Sequence, residues 1–245
     1  DILAAGFPCQ PFSLAGKQKG FDDEIRGTLF FDILRILKHH KPKVFLLENV
    51  KNLVSHDKGN TFKIILNKLK ELNYNVFHKV LNAKDFGLPQ NRARIYIVGF
   101  LDNVNFTFPE PTFVPTLLSS ILEPVVDSKY TISDKLWAGH QKRKLEHARK
   151  GNGFGYRIFD SNSIYTSTLS ARYYKDGSEI LINQNGKNPR KLTTREASAL
   201  QGFPKDFTIP VSDTNAYKQF GNSVAVPVVT AIVEKIKETL NDNRL

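Results

Sequence analysis

Val44-Phe45-Leu46-Leu47-Glu48 is four consecutive apolar residues closed by an acid. A run this short and this apolar, preceded by Lys41-Pro42 and followed by polar residues, reads as a strand buried on both faces. Upstream, Gly27 to His40 places Leu29, Phe30, Ile33, Leu34 and Leu37 at helical spacing. Pro42 stops that helix, because the residue before a proline is pushed out of helical geometry. Further back, Ile2-Leu3-Ala4-Ala5 is a second buried strand that ends at Gly6 and feeds a loop containing Pro8 and Pro11. Downstream, Phe62, Ile65, Leu66, Leu69 and Leu72 mark another helix, and strands follow near Asn75 to Leu81 and Ile95 to Phe100. Strand, helix, strand, helix, strand predicts a mostly parallel α/β sheet, in which ligands gather beyond the carboxyl ends of the strands. Cys9 and Glu48 both fall there.

From about Asp102 the pattern changes. Prolines at 109, 111, 115 and 124 break the chain, which predicts a second, smaller and irregular domain. Within it, Ser133 to Lys150 reads as a helix capped by Ser133 or Asp134. Beyond the capping pair it carries Lys135, Lys142, Arg143, Lys144, Arg149 and Lys150 against one further acid, Glu146. Such a run is most simply a solvated face. Val224 to Leu240 sets Val226, Val229, Val233, Ile236 and Leu240 on one stripe, a helix expected to return to the first domain. No internal repeat or low-complexity tract is visible.

The 245 residues include 35 Lys+Arg and 24 Asp+Glu, a formal charge of +11 that points to a polyanionic partner. A hydrophobic fraction of 40% is enough for a substantial core and excludes wholesale disorder. No apolar run approaches the roughly 18 residues that cross a bilayer, and the start lacks a secretion signal, so a soluble intracellular protein with no membrane association is expected. The single cysteine, Cys9, excludes an internal disulfide and a multi-thiolate zinc site, and no metal is expected. There is no methionine, so Asp1 is not expected to be the start of the translated gene.

Cys9 sits in Gly6-Phe7-Pro8-Cys9-Gln10-Pro11-Phe12-Ser13, with Pro8 directly before it and Pro11 two residues after. Polar islands recur at Glu48-Asn49-Val50, Gln90-Asn91-Arg92-Ala93-Arg94, Arg190 to Pro204 and Gly221-Asn222-Ser223-Val224. In this order they resemble the PCQ, ENV, QxRxR, RxLTxREAxxLQGFP and GNSV motifs of the C5-cytosine DNA methyltransferases, specifically the bacterial modification enzymes. The resemblance covers nearly the whole chain outside residues 105 to 130. It implies a Rossmann-like methyltransferase sheet with a smaller target-recognition domain. On this reading residues 1–122 and 222–245 form the catalytic domain, 123–193 the recognition domain and 194–221 a hinge.

The chemistry implied is methyl transfer from S-adenosylmethionine to C5 of a flipped-out cytosine in a specific site of double-stranded DNA, through a covalent bond from Cys9 to C6. Populating the thiolate from a pKa of about 8.5 costs only about 2 kcal/mol at pH 7. A methyltransferase needs on the order of 8 kcal/mol or more. The larger share must come from making the ring a better acceptor. By resemblance Glu48 contacts N3 and the exocyclic amine, Arg94 holds O2 and Arg92 orders the site; a structural ion pair is the alternative for these three. Extruding the base costs roughly a few kcal/mol, offset by phosphate contacts and by a closing loop from Gln10 to Arg26 in which Ser13, Lys17 and Arg26 meet DNA. A merely flexible basic loop fits that stretch as well. Thr168-Leu169 resembles the family's recognition-region pair, and Arg172 in the adjoining segment is a candidate base reader, although a hairpin turn at Asp176-Gly177 explains part of that segment. Gly151-Asn152-Gly153-Phe154-Gly155 follows a basic helix and no strand, so it is not a nucleotide loop. The recognition domain looks like that of Dcm-type enzymes, which methylate CCWGG-like sites.

The family's glycine-bearing cofactor loop and the acid after its second strand have no counterpart here, so the first strands of the sheet are expected to be missing. Gly6, Pro8, Leu29, Asn222 and Ser223 remain as cofactor candidates. Truncation, a second subunit carrying the missing half, and decay are the competing explanations. Truncation is favoured because an initiator methionine is also lacking, and on this reading the chain alone binds the cofactor weakly and methylates poorly. The function expected is a prokaryotic, cytoplasmic, nucleoid-associated DNA (cytosine-5)-methyltransferase of a restriction-modification system. The alternatives are a non-catalytic sequence-specific DNA-binding protein or one subunit of a split enzyme.

Overall fold

The computed structural model describes residues 1–7 and 29–242. These fall into two compact units, Asp1–Leu81 with Ala93–Pro109 and Ile232–Leu245, and Asn82–Arg92 with Glu110–Ala231.

The first unit holds a four-stranded sheet in the order β1-β2-β4-β3, built from β1 (Ile2–Gly6), β2 (Val44–Val50), β3 (Asn75–Asn82) and β4 (Ala93–Phe100). The inner strands β2 and β4 are buried almost throughout, as the unbroken apolar runs require. Strand β1 pairs parallel to β2, with Gly6 opposite Glu48. The β2–β4 pair is antiparallel, so the sheet is mixed where a mostly parallel one was expected. Only residues 83–92, which hold a single turn of 3-10 helix and no crossover helix, connect β3 to β4. A parallel return needs a longer connection, normally a helix.

Helix α1 (Leu29–His40) buries Phe30, Ile33 and Leu37, and Lys41 leaves helical geometry with φ 43° just before Pro42. Helix α2 (Asn60–Glu71) buries Phe62, Ile65 and Leu69, and just past its Leu72 cap the chain turns at Asn73, whose φ of 64° suits asparagine better than most side chains. These helices pack with Phe45, Leu47, Ile95 and Ile97 into one apolar cluster that also takes in Phe7. A methyl group on Gly99 would stand 2.2 Å from the Phe45 ring, so the ring lies flat on bare backbone there.

The second unit has little regular sheet. Strands β5 (Ile158–Phe159) and β6 (Leu181–Ile182) form a two-residue parallel pair. Because that pair is parallel, Asp176-Gly177 is no hairpin turn. Gly177 has φ 66° and closes a turn by donating to the Tyr173 carbonyl at 3.1 Å. Helix α3 (Asp134–Arg149) is capped by Ser133, whose hydroxyl accepts from the Leu136 N–H at 3.3 Å. Helices α4 (Thr194–Leu200) and α5 (Asp213–Asn222) surround a cluster of Leu169, Tyr173, Ile180, Leu192, Tyr217 and Phe220.

Helix α6 (Val226–Asp242) runs across the division between the units, and its apolar stripe differs from the expected one. Val228, Ile232 and Ile236 are buried, whereas Val233 is 44% exposed. Residues 224–233 are apolar on nearly every side, so spacing alone cannot pick the buried face. No described helix is long and apolar enough to cross a membrane.

Candidate active site

Strand register places the acid. Glu48 on β2 lies opposite Gly6 on β1 and Tyr96 on β4, and Arg94, two residues before Tyr96, is its diagonal neighbour on the same face. The Arg94 Nε stands 3.0 Å from the Glu48 Oε1, with 14% and 19% of the two side chains exposed. Arg94 also donates from Nη1 to its neighbour's carbonyl, Ala93 O, at 3.0 Å. Opposite the carboxylate, Gly6 presents no side chain; a methyl group there would stand 3.7 Å from Oε2. The carboxylate is therefore held in one orientation at the carboxyl end of a parallel strand pair while remaining reachable.

Asn49 points to the opposite face of β2, as alternation demands. It is buried at 3% exposure, donates from Nδ2 to the Phe7 carbonyl at 2.7 Å, and accepts from Val50 N–H at 2.8 Å. Phe7 itself packs against Phe30 with ring centroids 5.3 Å apart. The chain two residues before Cys9 is thus tied both to the core and to the residue after Glu48. Cys9 lies outside the described residues, as do Pro8, Ser13, Lys17, Arg26 and the rest of the Gln10 to Arg26 segment.

The same Gln-Asn-Arg-Ala-Arg stretch does a second job in the other unit. Arg92, 3% exposed, donates to three carbonyls: Leu169 O at 2.9 Å, Gly221 O at 3.1 Å and Ser223 O at 2.7 Å. Gln90, fully buried, accepts from the Leu169 N–H at 3.0 Å and donates to Leu200 O at 2.9 Å. Both backbone groups of Leu169 are therefore held by side chains of this stretch. Thr168 adds a bond from its hydroxyl to Asn91 O at 2.7 Å. Gly221 approaches so closely that a methyl group there would meet the Ser170 and Ala171 backbone at 2.3–2.4 Å.

The structure therefore brings Gly6, Glu48 and Arg94 together in one unit, and Arg92, Thr168 and Ser223 in the other. Leu29 opens α1 at 46% exposure. Asn222 ends α5 exposed, and the Ser223 hydroxyl is engaged with Phe220 O at 2.8 Å. Arg172 is exposed, its N–H donating to the Ser170 hydroxyl at 3.1 Å. Sequence reasoning assigned no role to Asn49, Gln90 or Gly221. Each stood inside a recognised motif, but nothing local says that a side-chain amide will bond backbone 79 residues away. It also missed the buried pair of Arg190 and Glu196, bonded at 2.7 and 2.8 Å, in which Glu196 completes the capping box of α4. Among the described residues no cluster of three or more His, Cys, Asp or Glu could hold a metal ion.

The family model for C-5 cytosine-specific DNA methylase matches residues 1–238. The Type II methyltransferase M.SsoII of Shigella sonnei is 65% identical over 246 residues, covering 98% of this chain and 65% of that protein. The Type II methyltransferase M1.ScrFI of Lactococcus lactis subsp. cremoris is 64% identical over 249 residues, covering 100% of this chain and 64% of that protein. The chain thus spans a little under two thirds of the length of these relatives. Among solved structures, the Entamoeba histolytica methyltransferase EhMeth superposes with a TM-score of 0.75 at 22% identity, over 97% of this chain and 77% of that one, which supports the Rossmann-like methyltransferase fold. With the matched model running almost from end to end and two relatives above 60% identity, the chain belongs to the C-5 cytosine-specific DNA methylase family.

Proposed function

We propose that the chain methylates C5 of a cytosine in a specific duplex DNA site, with Cys9 as nucleophile and Glu48 as the acid that makes the ring accept it. The observation that carries this reading is the bond from Asn49 to Phe7 beside the Glu48–Arg94 pair. It anchors the peptide leading to Cys9 on the strand that carries the carboxylate, and the two residues from Phe7 to Cys9 reach at most about 7 Å.

The chemistry needs both groups. The Cys9 thiolate forms a bond to C6, and the electrons of the C5–C6 double bond move toward the ring nitrogen and C5. Glu48 shares a proton with N3 and so stabilises the charge that arrives there. Arg94 both orients the Glu48 carboxylate and stands ready for the base O2. C5 then takes up the methyl group, a base removes the C5 proton, the double bond re-forms, and the thiolate leaves. Arg92 acts at a distance, by fixing the backbone around Leu169, Gly221 and Ser223. The target is swung out of the duplex for this, and the site is expected to be CCWGG-like. The biological setting is a restriction-modification system in a prokaryotic cytoplasm. Catalytic, recognition and hinge roles are proposed for residues 1–122 with 222–245, 123–193 and 194–221; by compactness alone, 82–92, 110–122 and 194–231 group with the recognition segment.

S-adenosylmethionine is the methyl donor this reading requires; bound, it supplies an electrophilic methyl on a sulfonium. The described candidates fit one apolar edge of it, an exposed glycine backbone at the end of β1 and an exposed leucine opening α1. Asn222 and Ser223 are proposed to add polar contacts.

Duplex DNA carrying 5-fluorocytosine at the target tests the reading, because fluorine in place of the C5 proton traps the adduct after methyl transfer. With the donor and a polypeptide supplying the family's cofactor loop both present, a covalent complex at Cys9 is expected and none with Cys9→Ser, while Glu48→Gln slows methyl transfer by about 10²- to 10⁴-fold. Specific DNA binding with neither adduct nor methyl transfer would make the protein a non-catalytic binder.

A further inference from the structure

Helix α3 carries a row of charge that the packing of its unit does not use. Its packed side consists of Trp137, His140 and Lys144, all gathered on Tyr156: Trp137 at 4.7 Å and His140 at 6.3 Å between ring centroids, and the Lys144 ammonium 4.3 Å above the ring. The opposite side presents Lys135, Lys142 and Arg149, spaced seven residues apart and therefore stacked on one line, with Lys150 beside them; all four are exposed. None of the four makes an ion pair among the described residues, whereas Arg143 at the edge is taken up by Asp176 at 3.1 Å. Between Lys135 and Lys142 the face is small, Ala138 and Gly139, and open: a methyl group on Gly139 would touch nothing within 4 Å. Glu146 is the one acid on this side.

We propose that this face of α3 docks on the phosphate backbone of duplex DNA, as a sequence-independent anchor beside the groove-reading segment. The inference rests on the DNA-methylating reading and adds the element that supplies its non-specific affinity. Lys135 to Arg149 spans about 21 Å of helix, a length over which duplex DNA carries a charge about every 1.7 Å of its axis. Small residues between the cations let the helix backbone come close to the strand, and the row is long and straight where a base-reading surface would be mixed and polar.

The test is the salt dependence of binding of the full chain to a labelled duplex, from roughly 50 to 200 mM salt. Lys135→Gln, Lys142→Gln and Arg149→Gln together keep helix propensity nearly constant. They should make the slope of log affinity against log salt shallower by about two to three, near 0.9 for each lost phosphate contact. The loss should be equal on target and non-target duplexes. Glu146→Lys should steepen the slope by about one. Unchanged slopes in both variants, the result a merely solvated face gives, would overturn the proposal, as would a changed slope with RNA and none with duplex DNA. The 5-fluorocytosine adduct at low salt separates this inference from the one it rests on. Slopes that change as expected in a chain that never forms the adduct would leave the docking face standing and remove the catalytic reading.

Discussion

The two units are held together by different means. In the first, Phe30, Leu37, Phe45, Leu47, Ile65 and Ile97 bury apolar surface against a sheet whose hydrogen bonds close within the backbone. The second has only two short strands, and its irregular backbone finds its partners in side chains: Gln90 and Arg92 on Leu169, Gln201 on Phe220 O at 2.7 Å, Tyr173 on Ile180 O at 2.7 Å, and Tyr217 on Leu192 O. Burial pushes the phenols of Tyr173 and Tyr217 well above their ordinary range, so they stay protonated donors at any physiological pH. Buried backbone groups must be paired somewhere. Where strands and helices do not supply the partners, buried glutamine, arginine and tyrosine do.

Apolar replacements of similar size break this contrast most sharply. Arg92→Met strips the guanidinium donor from three carbonyls, each worth about 1–3 kcal/mol when left unpaired, and should cost at least 3 kcal/mol by denaturant unfolding. Leu47→Met, an equally conservative exchange in the first unit, should cost less than about 1.5 kcal/mol. Equal losses at the two positions would dissolve the distinction.

Gly221→Ala comes next, at about 1–3 kcal/mol, because its methyl group collides with the Ser170 and Ala171 backbone. It should also raise KM for DNA more than it lowers kcat, since the displaced segment adjoins Thr168 and Arg172. A change confined to kcat would place Gly221 elsewhere in the mechanism.

The smallest effect is a pH dependence. His140 is buried, its Nε2 facing Asp176 O at 3.2 Å and its Nδ1 facing the Arg143 Nη2 at 2.8 Å. The guanidinium can only donate, so Nδ1 accepts and the ring is neutral. Desolvation lowers the His140 pKa, helped by the Arg143 charge and opposed by Asp176. A lowered histidine contributes stability above its ordinary value of about 6.5 and loses it as pH falls below, by at most about 1.4 kcal/mol per pH unit. His140→Gln should flatten the stability profile below about pH 6.5. A remainder should persist from His78 in the first unit, lowered by burial and then by Lys70. An unchanged profile in the variant would show that His140 is not the group that titrates.

The same contrast explains what could be read from sequence. Periodicity located α1, α2, β2, β3 and β4, because in the first unit burial follows from local pattern. It failed on strand direction at β2–β4, where connection length was the deciding feature, and on the face of α6, where apolar residues surround the helix. In the second unit, Ser133 as the α3 cap was legible from its side-chain chemistry. The Arg92 triad and the Arg190–Glu196 pair were not: the first rests on long-range bonds to backbone, and the second joins a residue of an isolated bridge to the first turn of α4. Glu48 and Arg94 were both singled out, and register alone explains why they meet.

The claim that a sulfur bond to C6 opens the reaction can be tested apart from the methyl donor. Once the thiolate has added, C5 becomes basic and exchanges its hydrogen with water. DNA bearing tritium at C5 of the target cytosine should therefore release label when mixed with this chain alone, with release falling to background in Cys9→Ser and dropping sharply in Glu48→Gln. Release that persists undiminished in Cys9→Ser, or none from the parent chain on DNA that it binds, would contradict the account.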